Sequence, residues 1–193
     1  MTPSLLFRLA WGLWALSWLA AALWSAPTVK RAAMPGRLLY AVVLLAGILL
    51  LFSGTSAWLQ AGRLWHVGHA GAWALALLTI PGFLFTWWAR LHLGPLWSGW
   101  VARKEGHRIV DSGPYAIVRH PIYTGLIAAT LCTAVAQATL PALAGCALIA
   151  AGLWLKARYE EEFLRRELGA DAYDAYRRRV PMLLPFGPTS PRS

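Results

Sequence analysis

From Pro121 to Leu155 the chain runs for 35 residues without a charge. As a single helix rising about 1.5 Å per residue, such a run would be roughly 50 Å long. The hydrocarbon core of a bilayer is only about 30 Å thick. A polar, helix-breaking centre at Gln137, Thr139 and Pro141 divides the run, which predicts a hairpin of two short membrane helices. Three further apolar stretches precede it: Leu5 to Trp24, interrupted only by Arg8, then Leu38 to Leu59, then His69 to Ala89. Each has about the 20 residues that one crossing needs. Charged residues make up 13% of the chain, about half of what a soluble domain carries. The expected fold class is therefore an all-α integral membrane protein of about five transmembrane helices with a short C-terminal amphipathic helical region. Residues 1–89 are read as three N-terminal spans with short loops. Residues 90–193 are read as the half that carries the chemistry.

The formal net charge of +10 is explained by where the charges lie. Three of the 18 Lys and Arg (Lys30, Arg31, Arg37) fall between spans one and two. Five (Arg90, Arg103, Lys104, Arg108, Arg119) fall between spans three and four, and eight follow span five. Only Arg8 and Arg63 fall on the other side, and all eight acids join the majority. The positive-inside rule then predicts a multi-pass protein of the inner or plasma membrane, N-terminus outside and C-terminus inside. Nucleic-acid binding is not expected, because no soluble module presents a basic face with interleaved aromatics. A cleaved signal peptide is not expected either, since the first span is long for one and Lys30-Arg31 follows it at once. Cys132 and Cys146 sit in apolar runs, and His92, His107 and His120 lack the tight spacing of a ligand set, so neither a disulfide framework nor a metal site is expected. Trp11, Trp14 and Trp18 recur at helical spacing and read as a lipid-facing or packing stripe.

Polarity is confined to two pieces, Arg90 to His120 and Lys156 to Arg179, and the hairpin between them makes their ends neighbours. In the first, Gly113-Pro114 reads as a turn and Pro121 as the opening of a helix, with Arg119 able to reach the headgroups. In the second, an interfacial helix is expected to turn Phe163, Leu164 and Leu168 towards lipid. It should break at Gly169 and resume around Asp171 to Arg178, with Tyr173 and Tyr176 on adjoining faces. Lys156 and Glu160 share a helix face, but Lys before Glu is the weaker order for helix stability. Ions at a membrane edge are functional candidates by default.

Taken in order, the chain shows an LGPLWS element, the strip His107-Arg108-Ile109-Val110, a GPY turn ending in Tyr115, and RHPIYTG. An acid-rich helix, Gly169, a YxxY pair and RVP follow. That order resembles the isoprenylcysteine carboxyl methyltransferase family, within the wider group of membrane methyltransferases that includes the phospholipid methyltransferases. The resemblance implies S-adenosyl-L-methionine as cofactor and a lipophilic small-molecule or lipidated acceptor from the membrane. It implies a cofactor pocket lined by His107, Arg108, Ile109, Val110, Tyr115, His120, Pro121, Ile122 and Tyr123, with Glu160 contacting the cofactor. Four residues before that acid the family typically places an arginine for the substrate carboxylate. Here Lys156 stands there, with Arg158 two residues on, and a lysine offers a point charge rather than a bidentate fork. The catalytic candidates are thus Glu160, Lys156 and Arg158, with Arg158 about 200° around the helix from Lys156.

The expected reaction is methyl transfer to the carboxylate of an isoprenylcysteine-like or isoprenoid acceptor from the cytoplasmic side. The alternatives are N-methylation of phosphatidylethanolamine-type lipids and, third, an NADPH-dependent reduction of the sterol-reductase type. A five-span topology makes a direct prediction. A reporter fused after Ser193 should behave as cytoplasmic and one fused at Ala138 should not; a C-terminus on the far side would separate the two polar pieces from the cytoplasm.

Overall fold

The computed structural model describes residues 2–53 and 62–189. Among these residues there are six α-helices: α1 (Pro3–Ala22), α2 (Met34–Ser53), α3 (His69–Leu93), α4 (Pro121–Gln137), α5 (Leu140–Leu168) and α6 (Ala170–Arg179). Two short strands, β1 (Thr28–Arg31) and β2 (Ala102–Lys104), pair antiparallel. The protein is an all-α membrane protein in architecture. Helices α1, α2, α3 and α5 are long and apolar enough to cross a bilayer, and α4 is a shorter apolar helix of 17 residues. The extension of the second span to Leu59 falls outside the described residues.

The hairpin between α4 and α5 turns where the uncharged run has its polar centre. Helix α4 ends at Gln137, Ala138 takes a left-handed conformation (φ 56°), and the Thr139 hydroxyl accepts from the Ala142 amide at 3.4 Å to cap α5. Pro141 lies in the first turn of α5, where a missing amide hydrogen is harmless. Gln137 is tied down by donating to the Leu51 carbonyl of α2 at 2.9 Å.

Small residues set the helix packing, as is usual when lipid removes the hydrophobic drive between helices. A Cβ on Gly125 of α4 would lie 2.4 Å from the Gly82 carbonyl oxygen of α3. One on Gly145 of α5 would lie 2.5 Å from the Leu51 nitrogen of α2. Helix α1 has no buried residue and leans on α3 and α4 through Trp14 Nε1 to Thr86 Oγ1 (2.8 Å) and Trp11 Nε1 to Thr133 Oγ1 (3.0 Å). Helices α1 and α2 meet at the edge-to-face pair Trp11–Phe52. Space is left between α1, α2, α4 and α5 towards the charged end of the bundle.

Fixed polar ties close that end. Arg90 at the foot of α3 is fully buried, donating to the carbonyls of Gly94 (2.7 Å), Ala21 (2.6 Å) and Trp24 (2.5 Å) between the rings of Trp24 and Trp97. Lys104 of β2 donates to the Ala26 carbonyl and the Thr28 hydroxyl. The α1–α2 connection is thus fastened to the segment that leads into α4.

The C-terminal piece departs from the expectation of a separate interfacial helix. Helix α5 continues unbroken from its apolar half through Lys156 to Leu168 and ends at Gly169 (φ 101°). Phe163 and Leu164 are not turned to lipid. Phe163 packs on the cluster of Ala32, Tyr40 and Val101, Leu164 on Tyr173, Tyr176 and Val180, and Leu164 and Leu168 face an internal chamber. Leu164 is covered because α6 folds back after Gly169, and Phe163 because α2 and the segment before β2 pack against it. Gly125→Val should destabilise the protein by about 1–3 kcal/mol through overpacking, whereas Gly12→Ala, with nothing within 4 Å of the new methyl, should not. Thermal unfolding in detergent checks both.

Candidate active site

A chamber of about 760 Å³ occupies the space between the helices, within the usual range for small-molecule sites. Its walls have two characters. Deep in the bundle they are apolar: Trp11, Trp14 and Trp18 of α1, Leu44, Ile48 and Phe52 of α2, Leu126 of α4, and Ile149 and Leu153 of α5. The tryptophan stripe is therefore a chamber wall, with two of its indole N–H groups spent on threonines. At the charged end the lining becomes polar and aromatic, with His107, Tyr115, Arg119, His120, Tyr123, Lys156, Glu160, Tyr173 and Tyr176.

Every residue expected to hold the cofactor lines this one chamber: His107, Arg108, Ile109, Val110, Tyr115, His120, Pro121, Ile122, Tyr123 and Glu160. So does Lys156. Arg158 does not; it is exposed, its guanidinium 5.6 Å from the Trp154 ring, and it lines a separate cleft. The helical phase that puts Lys156 and Glu160 on one face turns Arg158 away.

The site is built around two adjacent acids of α5. Glu160 Oε2 accepts from the Tyr123 hydroxyl at 2.7 Å. The Tyr123 ring stacks on His120, centroids 5.1 Å apart and planes within 5°. His120 Nε2 in turn faces Glu161 Oε1 at 3.1 Å. One carboxylate therefore grips each end of an aromatic stack that opens α4. Lys156 Nζ donates to the Gly99 carbonyl at 2.8 Å and lies between the rings of Tyr123 (5.2 Å) and Tyr40 (5.8 Å). Lys156 and Glu160 both line the chamber.

Glu161 is 3% exposed, and reading the sequence did not single it out. Arg119 donates to it twice, Nε to Oε1 at 2.7 Å and Nη2 to Oε2 at 3.2 Å, and Arg177 of α6 approaches at 3.3 Å. Arg119, expected merely to reach the headgroups, is 6% exposed and also donates to the carbonyls of Arg177 and Val180. The chain beyond α6 is held the same way: the amides of Arg119 and His120 donate to Pro181 and Met182, and the Thr124 hydroxyl to Leu183. The Tyr176 hydroxyl reaches the Tyr115 carbonyl at 2.8 Å. The only signal in the sequence was one acid too many in the run Glu160-Glu161-Glu162.

Outside the spans, burial sets the protonation states. It holds the His107 imidazole below its usual range against the opposing pull of Glu160. The Lys104 amide donates to His107 Nδ1 at 3.2 Å, so the neutral ring carries its proton on Nε2. Burial pushes the Tyr115 and Tyr173 hydroxyls up, keeping them neutral donors. Among the described residues no group of His, Cys, Asp or Glu is placed to hold a metal ion.

Residues 74–166 match the sequence model of the isoprenylcysteine carboxyl methyltransferase family. Over this stretch the chain is similar to that family. Protein-S-isoprenylcysteine O-methyltransferase B of Arabidopsis thaliana is 32% identical over 87 residues, which is 45% of this chain and 44% of that relative. The chain thus matches less than half of the relative's length. The isoprenylcysteine carboxyl methyltransferase match takes in His107 to Tyr123, Lys156, Glu160 and Glu161. It leaves out Trp11 to Trp18, Leu44 to Phe52, Tyr173 and Tyr176, so much of the apolar wall and the α6 cover are contributed from outside it.

Glu161→Gln should destabilise the protein strongly, by about 3–5 kcal/mol, because it strands the buried Arg119. Glu162→Gln, which touches only the exposed Arg166, should melt close to wild type. Thermal unfolding of the two variants side by side checks this.

Proposed function

We propose that this protein is an S-adenosyl-L-methionine-dependent membrane methyltransferase that esterifies the carboxylate of an isoprenylcysteine-like or isoprenoid acceptor. The proposed orientation puts the charged end of the bundle in the cytoplasm. The observation that carries the reading is the single chamber, polar at one end and apolar at the other, with Lys156 and Glu160 where the two meet.

The polar end fits the cofactor chemically. Glu160 spends one oxygen on Tyr123 and keeps the other for a cationic group. The neutral His107 offers an N–H. Tyr115, Tyr173 and Tyr176, with Ile109, Val110 and Ile122, form an aromatic and aliphatic wall suited to a purine. Arg108 and Pro121 complete that part of the lining, and His120 is held in place by Glu161. When bound, S-adenosyl-L-methionine supplies a methyl group on a positively charged sulfur.

Lys156 is the residue proposed to receive the acceptor's carboxylate, using the donors that Gly99 leaves over. The lipid part of the acceptor would lie against Trp14, Trp18, Ile48 and Leu153, reached sideways from the membrane between α1 and α2. A carboxylate is already an anion and needs no base. The protein's task is then to hold two reactants of opposite charge together and to keep water from a nucleophile that hydration would blunt. An ammonium acceptor of the phosphatidylethanolamine type would meet the charge of Lys156 instead and would first have to lose a proton to a base. The charge of Lys156 disfavours the N-methylating alternative.

S-adenosylhomocysteine should raise the melting temperature of the detergent-solubilised protein and NADPH should not; the reverse would favour a reductase. Lys156→Ala should cut turnover by about tenfold to a hundredfold, the worth of a hydrogen bond to a charged group, with little change in S-adenosylhomocysteine affinity. Glu160→Gln should weaken that affinity. Arg158→Ala should leave turnover near wild type. A dead Arg158 variant beside an active Lys156 variant would overturn the assignment of the helix face.

A further inference from the structure

A second cleft, of about 350 Å³, lies on the outside of the bundle between the start of α2, the charged half of α5 and α6. Leu155, Arg158, Tyr159 and Glu162 line it from α5, the spacing of one helix face. Arg158 is exposed and stands over Trp154, and among the described residues no carboxylate pairs with it. The other basic side chain in the wall, Arg177, is already met: its Nε lies 3.3 Å from Glu161 and its Nη1 3.3 Å from Asp174.

The acids of the cleft are already committed. Glu161 is saturated by Arg119, His120 and Arg177, and Glu162 is paired with Arg166 at 2.7 Å. Of the two arginines in the wall, Arg177 is thus neutralised, while among the described residues no carboxylate meets Arg158. The positive charge to spare in the cleft lies at Arg158.

Its position is that of lipid headgroups. Arg158 follows the end of the 35-residue uncharged run by three residues. Trp154, one turn deeper, is 45% exposed, and on α2 the neighbouring Met34, Leu38 and Leu39 are 66%, 62% and 58% exposed. Apolar side chains thus face outward just below a basic cleft. The arrangement suits a molecule with a phosphate at the level of Arg158 and alkyl chains running down past Leu39 and Trp154.

We propose that this cleft binds the phosphate group of an anionic phospholipid, with Arg158 as its principal ligand. Glu161 is the partition between this cleft and the large chamber, so the site is separate from the one proposed for catalysis. The proposal does not depend on what the chamber does.

The test titrates phosphatidylglycerol, phosphatidylcholine or inorganic phosphate into the full-length protein in neutral detergent and follows thermal stabilisation. Arg158→Gln is compared with wild type and with Arg178→Gln, an exposed arginine of α6 that lines neither cavity. Phosphatidylglycerol should stabilise wild type and Arg178→Gln at similar concentrations, beyond any effect of phosphatidylcholine, and Arg158→Gln should need about fivefold more. Equal responses from the two variants would mean only diffuse attraction to a basic surface and would overturn the site. Stabilisation by inorganic phosphate matching that by the lipid would overturn the assignment to a phospholipid.

Discussion

A carboxylate that is 3% exposed is tolerable only when its charge and lone pairs are fully met, and the way Glu161 meets this condition organises the charged end of the molecule. Its three partners come from two places: Arg119 and His120 just before α4, and Arg177 on α6. Because Arg119 also donates to the carbonyls of Arg177 and Val180, the same ion cluster fixes where the chain goes after α6. Tyr173 and Tyr176 are thereby set over the chamber. His120, Tyr123 and Glu160 follow in turn through one stack and two hydrogen bonds. Remove the carboxylate and two arginines and the chamber's cover lose their common anchor.

The chamber itself is a consequence of packing. Glycines draw α3 onto α4 and α2 onto α5 until backbone meets backbone, while α1, whose inward face carries Trp11, Trp14 and Trp18, is held off and touches its neighbours by indole hydrogen bonds. The volume left over is apolar because every wall is a membrane helix. It turns polar only where those helices reach the segments fastened by Arg90, Lys104 and Arg119. A site where charge and grease meet in one enclosed space follows from that division. The proposed methyl transfer between an ionic cofactor and a lipid-borne carboxylate uses both halves.

Much of this was legible in the residues. Hydropathy and the polar centre at Gln137 to Pro141 located the α4–α5 turn, and helical phase separated Lys156 and Glu160 from Arg158. The strip His107 to Val110 and the pieces around Tyr115 and His120 converge on one chamber. What escaped detection was contact between segments distant in sequence. Nothing in the sequence marks Glu161 over its neighbours Glu160 and Glu162, because burial and three partners separate them only once α4 and α6 are in place. Phe163, Leu164 and Leu168 point to lipid in the sequence because a helix with an apolar stripe beside a membrane looks the same whether lipid or other parts of the protein cover it. The β1–β2 pairing is only a few residues long, too short for periodicity to reveal.

The central claim is chemical: a carboxylate held by Lys156 is the methyl acceptor. The direct measurement incubates the purified protein with S-adenosylmethionine labelled in its methyl group and a prenylated cysteine carboxylic acid in detergent, then treats the lipid-extracted product with base. The account predicts label in the lipid fraction that base releases as methanol, as a methyl ester requires, and a large loss of that label with Lys156→Ala. Label that survives base, or that appears only when an aminophospholipid replaces the acid, would contradict it.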